Sequence, residues 1–184
     1  MVDAINGDLV IQEGVKQSET LAKLNADSVN TLRVLSLLHS DGNCKILSTL
    51  LRMGLKGTKV DNASSGGISI GVQDDGRLND FAYSNVGIRY YEHPTSHISF
   101  NNVIIPNFEG VKKAVKILHP KFPHFRMISW DIAMNEHNKP VLIEANFCDG
   151  ELDFHQLNNG PIFGKDTEII LAEIFARKRS RNNL

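Results

Sequence analysis

The feature that most constrains this chain is how its extended segments are joined. Thr31 to His39 is aliphatic and β-branched, Asp41-Gly42-Asn43 supplies a turn, and Lys45 to Met53 returns as a second strand. Ile68 to Val72, the Asp74-Asp75-Gly76 turn and a strand through Leu78–Tyr83 repeat the arrangement. A parallel connection needs a crossover of about a dozen residues or more, usually a helix. These turns are far too short for that, so neighbouring strands must run antiparallel. Two stretches depart from the β pattern. Phe108, Val111, Val115 and Leu118 recur at helical spacing between Pro106 and Pro120, and Ile169, Ile170, Ala172, Ile174 and Phe175 give a helix from Asp166 to about Arg177 a broad apolar side. Gly54 to Gly67 and Phe147 to Lys165 read as loops, and Gly7 to Val15 as a turn, a short strand and a turn. The expected fold class is α+β, a largely antiparallel sheet with helices packed on it.

At 184 residues the chain can bury a core as one domain or as part of a larger one. A formal net charge of -1 gives no global attraction to nucleic acid or to acidic membranes. The basic run Arg177 to Arg181 reads as a solvated helix end. No apolar run reaches the length of a membrane span and no signal peptide opens the chain. Cys44 and Cys148 lie far apart without a CxxC or Cys/His pattern, which reads as free thiols in a reducing compartment, and the cytoplasm is the expected location. His93, His97, His119, His124, His137 and His155 form no metal or nucleophile arrangement and are expected mostly at the surface, with His155 near enough to the second apolar hairpin to approach a site there.

That hairpin carries the main chemical signal. Ser129 to Met134 and Val141 to Asn146 are apolar runs interrupted by Asp131, Glu144 and Asn146. With a turn at Glu136–Lys139, Asp131 falls directly opposite Glu144, and Asn146 joins the same face by the two-residue period. Trp130, Ile132, Met134, Ile143 and Ala145 then share the opposite, core face. Two facing carboxylates repel unless a cation lies between them, and an all-oxygen set suits Mg²⁺. An ordinary acidic solvent face is the simpler alternative. Arg33 and Arg52 interrupt or end apolar strands and suit phosphate or carboxylate oxygens, or else pair as rim arginines with acidic neighbours. Short-turn logic sends the two toward opposite ends of adjacent strands. Ser64-Ser65-Gly66-Gly67 offers backbone N–H groups for an anion, but lacks the GK[ST] ending of a P-loop.

Taken with the order of these segments, the chain resembles the C-terminal part of an ATP-grasp domain. Asp131, Glu144 and Asn146 match that superfamily's D…E-x-N metal pattern in order and spacing. Leu32-Arg33-Val34, Leu51-Arg52-Met53 and Asp61 to Gly67 are similar to members that ligate glutamate-like amino acids. Ser28 to Arg33, Asp61 to Gly67 and Trp130 to Ala133 are closest to the sugar-transfer-associated ATP-grasp group. The resemblance implies ATP and Mg²⁺ as cofactors, with Asp131, Glu144 and Asn146 holding the metal. It places Arg33, Arg52 and Asn62 at the phosphates or acceptor substrate. Val10 to Val15 resembles the strand and hinge that meet adenine, so Gln12, Glu13 and Val15 are expected there, with Glu19 at the ribose and Ser65, Gly66 and Gly67 at the phosphates. One departure stands out. Many amino-acid ligases of the superfamily carry an arginine two residues before the metal aspartate, where this chain has Ser129; Arg126 is the candidate substitute, but an odd offset from Asp131 puts it on the other face of a regular strand.

The resemblance covers residues 10–150 best, so residues 1–184 read as a single partial ATP-grasp domain. The family's upstream subdomain, with its phosphate-binding lysine and glycine loop, has no counterpart in this stretch. The expected function is carboxylate–amine ligation through an acylphosphate, in the context of cell-surface polysaccharide or related biosynthesis, weak or absent in the isolated chain. The expected partners are a small or sugar-linked carboxylate, an amine and the upstream subdomain, with no nucleic acid and no membrane insertion. Two other classes stand beside it: a non-catalytic nucleotide-binding or regulatory module, and a structural or interaction protein.

Overall fold

The structure, a computed structural model, describes residues 13–55, 66–148 and 150–181. Its centre is one antiparallel sheet of seven strands: β1 (Thr31–Leu38), β2 (Cys44–Met53), β3 (Ile68–Gly71), β4 (Ala82–Ser84), β5 (Arg89–Tyr90), β6 (Met127–Met134) and β7 (Pro140–Asn146). Among the described residues the spatial order is β5-β4-β3-β2-β1-β6-β7, so β1 lies inside the sheet and β7 at an edge of it. Every pairing is antiparallel, as the short turns require for β1–β2, β4–β5 and β6–β7.

The two faces of the sheet differ in kind. Leu32 and Val34 of β1, Leu51 and Met53 of β2, Ile68 and Ile70 of β3, and Ile128, Trp130, Ile132 and Met134 of β6 form one apolar face. Helix α1 (Glu19–Leu24) adds Leu21 and Leu24 to it, and α2 (Phe108–Leu118) adds Phe108, Val111 and Val115. Fully burying one such side chain contributes about 1.5–3 kcal/mol, so this face supplies most of the stabilisation. Its polar atoms are matched: Ser36 Oγ accepts the Trp130 indole N–H at 2.8 Å and lies 2.7 Å from His119 Nδ1. The opposite face carries Arg33, Arg52, Ser48, Ser69, Ser129 and Asp131. Helix α3 (Leu152–Asn159) covers its β2–β4 part through His155, Asn158 and Asn159. All eight residues of β1 are buried, which explains why its alternation is imperfect in sequence: both of its faces are covered.

Several expectations need correction. Helix α1 was not anticipated. It is short, and its start is set by Ser18, whose hydroxyl accepts from the Leu21 N–H. The loop expected over Phe147 to Lys165 contains α3, entered through Glu151 at a positive φ of 51°. The strand through Leu78–Tyr83 reduces to a bridge at Leu78 and the short β4, and β5 was missed. Helix α4 (Thr167–Arg181) has Ile170 buried but leaves Ile169, Leu171 and Phe175 exposed, so its apolar side is only partly used. His93, His119 and His155 are fully buried rather than at the surface, each hydrogen-bonded. The Gly7 to Val15 strand and the Gly54 to Gly67 loop fall largely outside the described residues.

The β6–β7 hairpin follows the expected register only at its far end. Ser129 pairs with Asn146, Trp130 with Ala145 and Asp131 with Glu144, but Ile132 pairs with Leu142 and Ala133 with Val141. The turn runs Asn135 to Lys139, one residue longer than expected, and a β-bulge at Ile143 absorbs the difference. Two consequences follow. Ile143 is displaced from the core face and stands 39 % exposed. Val141 lies opposite Ala133, which puts it on the same face as Asp131 and Glu144 although it stands an odd three positions before Glu144.

Candidate nucleotide and metal site

The polar face is organised around Asp131. Arg33 is directly opposite it on β1, and the guanidinium bonds both carboxylate oxygens, Nε to Oδ1 at 2.9 Å and Nη2 to Oδ2 at 2.8 Å. Arg52 adds a third contact, Nη1 to Oδ2 at 3.3 Å. Register brings it there: Thr31 pairs with Arg52 and Arg33 with Leu50, so the two arginines are diagonal neighbours. The expectation that they sit toward opposite ends is wrong. One opens its strand and the other closes its antiparallel partner, and those are the same end of the sheet. All three residues are buried, with Asp131 only 6 % exposed.

Two further residues join this cluster: Glu151, which the sequence did not mark, and His155, which was expected to approach the site from its place after the hairpin. Glu151 pairs with the Arg33 guanidinium from the positive-φ position before α3. Burial disfavours the Arg33 charge, but the bonds and charge of Asp131, and then Glu151, outweigh it and hold its pKa above the ordinary value. His155 packs beneath, its Nδ1 2.8 Å from Ser48 Oγ, which also accepts from Asn159 Nδ2 at 2.8 Å. Its Nε2 is buried without a partner. Burial, then the nearby Arg33 charge, push its pKa down to about 4, against the opposing pull of Asp131 and Asp153. The imidazole is therefore neutral at pH 7. The sequence signal for His155 was its place just after the hairpin; for Glu151 it was only the Gly150-Glu151 step followed by Leu152, His155 and Asn159 at helical spacing.

Glu144 and Asn146 lie beside Asp131 on the edge strand. Glu144 is exposed and Asn146 half-buried, with its Nδ2 lacking a partner. At the turn end of the same hairpin, Glu13, Gly14, Val15 and Lys16 line a cavity of about 360 Å³ with Asn135, Glu136 and Val141. That volume lies within the roughly 300–1,000 Å³ of small-ligand clefts. The segment is tied to the hairpin by a bridge between Gln17 and Asn135 and by the Ser18 N–H bonding Met134 O at 2.8 Å. The bulge puts Val141 and Glu144 on one face, about 7 Å apart, the rise of the two residues between their partners Ala133 and Asp131.

Comparison with known protein families gives one match: the family described as sugar-transfer associated ATP-grasp, over residues 4–170. The chain belongs to that family. Membership makes it an ATP-grasp protein, ATP-binding and ligase-like in general function. Comparisons with curated proteins and with solved structures gave no match.

Against the ATP-grasp expectation, the fold brings Arg33, Arg52, Asp131, Glu144 and Asn146 onto one face, and Gly67 borders a narrow cleft with Arg52, Ser69 and Glu151. Gly66 sits beside it at a φ of +88°, a conformation open to glycine. Glu13 and Val15 line the separate cavity at the hairpin turn. Glu19 does not join either group: it is on the first turn of α1, largely exposed, and pairs with Lys23 at 3.0 Å. Gln12, Asn62 and Ser65 lie outside the described residues. Arg126 is used elsewhere, bonding Leu38 O at 2.6 Å and Glu173. Among the described residues no group of three His, Cys, Asp or Glu side chains converges as a metal site. The donor types nevertheless fit Mg²⁺: Glu144 is an exposed carboxylate, Asn146 carries an amide oxygen, and Asp131 supplies two oxygens now held by guanidinium groups. No helix among the described residues is long and apolar enough to cross a membrane.

Proposed function

We propose that this ATP-grasp chain binds Mg·ATP along the β6–β7 hairpin and serves carboxylate–amine ligation. The observation that carries the reading is the shared face of Val141, Glu144, Asp131 and Arg33, which leads from the turn cavity to the arginine cluster. The base would enter the cavity beside Glu13 and Val15, and the phosphates would run toward Glu144. Glu144, Asn146 and Asp131 would hold Mg²⁺, which when bound neutralises charge on the phosphoryl group being transferred. Arg33 and Arg52 are positioned for anionic oxygens, and they would trade their bonds to Asp131 for bonds to phosphate or to the acceptor carboxylate. His155 contributes a neutral N–H donor at their side, since Ser48 accepts from Asn159 and can donate to His155 Nδ1. Transfer of the ATP γ-phosphoryl group to the acceptor carboxylate would release ADP and give an acylphosphate, and attack by an amine would then form the amide with phosphate leaving. A sugar-linked acceptor in polysaccharide assembly and the likeness to glutamate ligases belong to the same proposal.

Calorimetry with ATP and Mg²⁺ tests the binding half. Millimolar or tighter binding that needs Mg²⁺ and is lost in Glu144→Ala supports it, and no binding at millimolar nucleotide overturns it. Hydroxylamine trapping of an acylphosphate, together with carboxylate-dependent ADP release, tests the ligase half. Binding without turnover is the second reading. It is favoured by the engagement of both Asp131 oxygens with arginine.

A further inference from the structure

A second cavity, of about 220 Å³, opens on the polar face next to Asp131, between the end of the β6–β7 hairpin and the start of α3. Leu35, Phe147 and Leu152 form its apolar walls, and Ser129, Asn146 and Cys148 its polar ones. No described residue lining it carries a charged side chain. Ser129 and Asn146 are directly opposite each other in the sheet, so their side chains start about 5 Å apart on one face. Ser129 is 1 % exposed and its Oγ has no hydrogen-bond partner, and the buried Asn146 Nδ2 has none either. Buried polar groups are nearly always matched. Two adjacent unmatched donors on one cavity wall therefore mark a place for a ligand oxygen.

We infer that this cavity receives an uncharged carbonyl group, of the amide type, carried by the substrate that reacts beside Asp131. A carbonyl oxygen has two lone pairs and accepts from both Ser129 and Asn146 at once. A carboxylate entering here would lose its hydration without meeting a cation among the described lining residues, because Arg33 and Arg52 are engaged at Asp131 and Arg126 at Glu173. The apolar walls suit the short alkyl part next to the amide. Specificity follows from the pairing of donors with a neutral acceptor: an analogue lacking the carbonyl leaves both donors buried and unmatched. The assignment of this cavity to the reacting substrate rests on the ligase reading; its preference for a neutral carbonyl does not.

The test compares propionamide with propionate, two probes of equal size that differ in charge, by ¹⁵N NMR titration of the full chain. Propionamide is expected to give saturable shifts at Ser129, Asn146, Cys148 and Gly150, weakened about fivefold in Ser129→Ala, as for the loss of one hydrogen bond. Leu152→Phe, which fills the cavity, is expected to abolish them while the rest of the spectrum stays that of the folded chain. Equal or stronger shifts with propionate overturn the inference, as does a propionamide response unchanged in both variants or no response to either probe. Cys148, exposed at the rim, is a second reporter: saturating propionamide should slow its labelling by a thiol reagent, whereas burial holds the Cys44 thiol pKa above its usual value and its reactivity low. Mg·ATP binding measured on the same samples separates the two readings. Loss of nucleotide binding with the propionamide response intact removes the ligase reading alone.

Discussion

Replacing Asp131 with alanine leaves two buried guanidinium groups facing each other with their shared carboxylate gone. The side chains of Arg33 and Arg52 are each 9 % accessible, and that of Asp131 is 8 %. Removing one member of a buried ion pair costs about 3–5 kcal/mol, because the remaining charge has lost both water and partner. Arg33 keeps Glu151, whose side chain is 40 % accessible, and Arg52 has a further interaction of its own, so neither guanidinium is left alone. The lower end, about 3 kcal/mol, is the expected loss. With a urea m-value of about 2 kcal/mol/M, that moves the unfolding midpoint down by about 1.5 M. The single tryptophan, Trp130, is fully buried and adjacent in sequence, so its emission follows unfolding without labels. Circular dichroism supplies a second probe that does not depend on the mutated strand. The double variant Arg33→Met/Asp131→Leu removes one charge of each sign while leaving Arg52 and Glu151, and should recover part of the loss, since apolar replacements of buried ion pairs are often near neutral. Wild-type stability in Asp131→Ala, or a double variant as unstable as the sum of its singles, would refute the buried-cluster account. The comparison also bears on function. A large loss without nucleotide shows that Asp131 holds the arginines in place before any metal reaches it.

Three further outcomes follow from the packing. His155 is neutral in the folded chain down to about pH 4, while the unfolded chain takes its proton near 6.5, so the folded state binds fewer protons between those values. Stability should be full above about pH 6.5, fall by up to about 3 kcal/mol as the pH drops toward 4, and lose most of that slope in His155→Gln, read by urea midpoints across the range. A Cβ at Gly71 would collide with the side chains of Asn159 and Asn79, so Gly71→Ala should cost about 1–3 kcal/mol and disturb the Ser48–Asn159 contact, visible in the Asn159 side-chain NMR signals. Ser18→Ala removes the cap of α1 and should lower stability by about 1 kcal/mol in thermal melts, with wild-type melting as the contrary result.

The turns explain how much of the fold was legible. Asp41-Gly42-Asn43 cannot carry a crossover, so the β1–β2 pairing follows from connectivity and needs no packing information. The α2 pattern held for a similar local reason, with Phe108, Val111 and Val115 recurring on one side between two prolines. Helix α3 was hidden because only one of its residues, His155, is fully buried, which leaves too weak an apolar period to separate it from a loop. The Asp131–Glu144 pairing was readable, but for an incomplete reason. The assumed turn was one residue too short, and the bulge at Ile143 restored the register before the site. That error hid the exposure of Ile143 and the placement of Val141 on the functional face.

What the sequence determined by itself was the antiparallel order of the neighbouring strands and the chemical types gathered along them: oxygen donors on one hairpin, arginines on the strands before it. Both are local properties of spacing and composition. Only the tertiary structure decided that Arg33 and Arg52 meet at Asp131, that Glu151 and His155 close on the same cluster, and that Ser129 and Asn146 share a cavity wall. Those meetings depend on a register set across four strands and on a helix placed over them. They join residues up to 118 positions apart, a distance over which side-chain period carries no information.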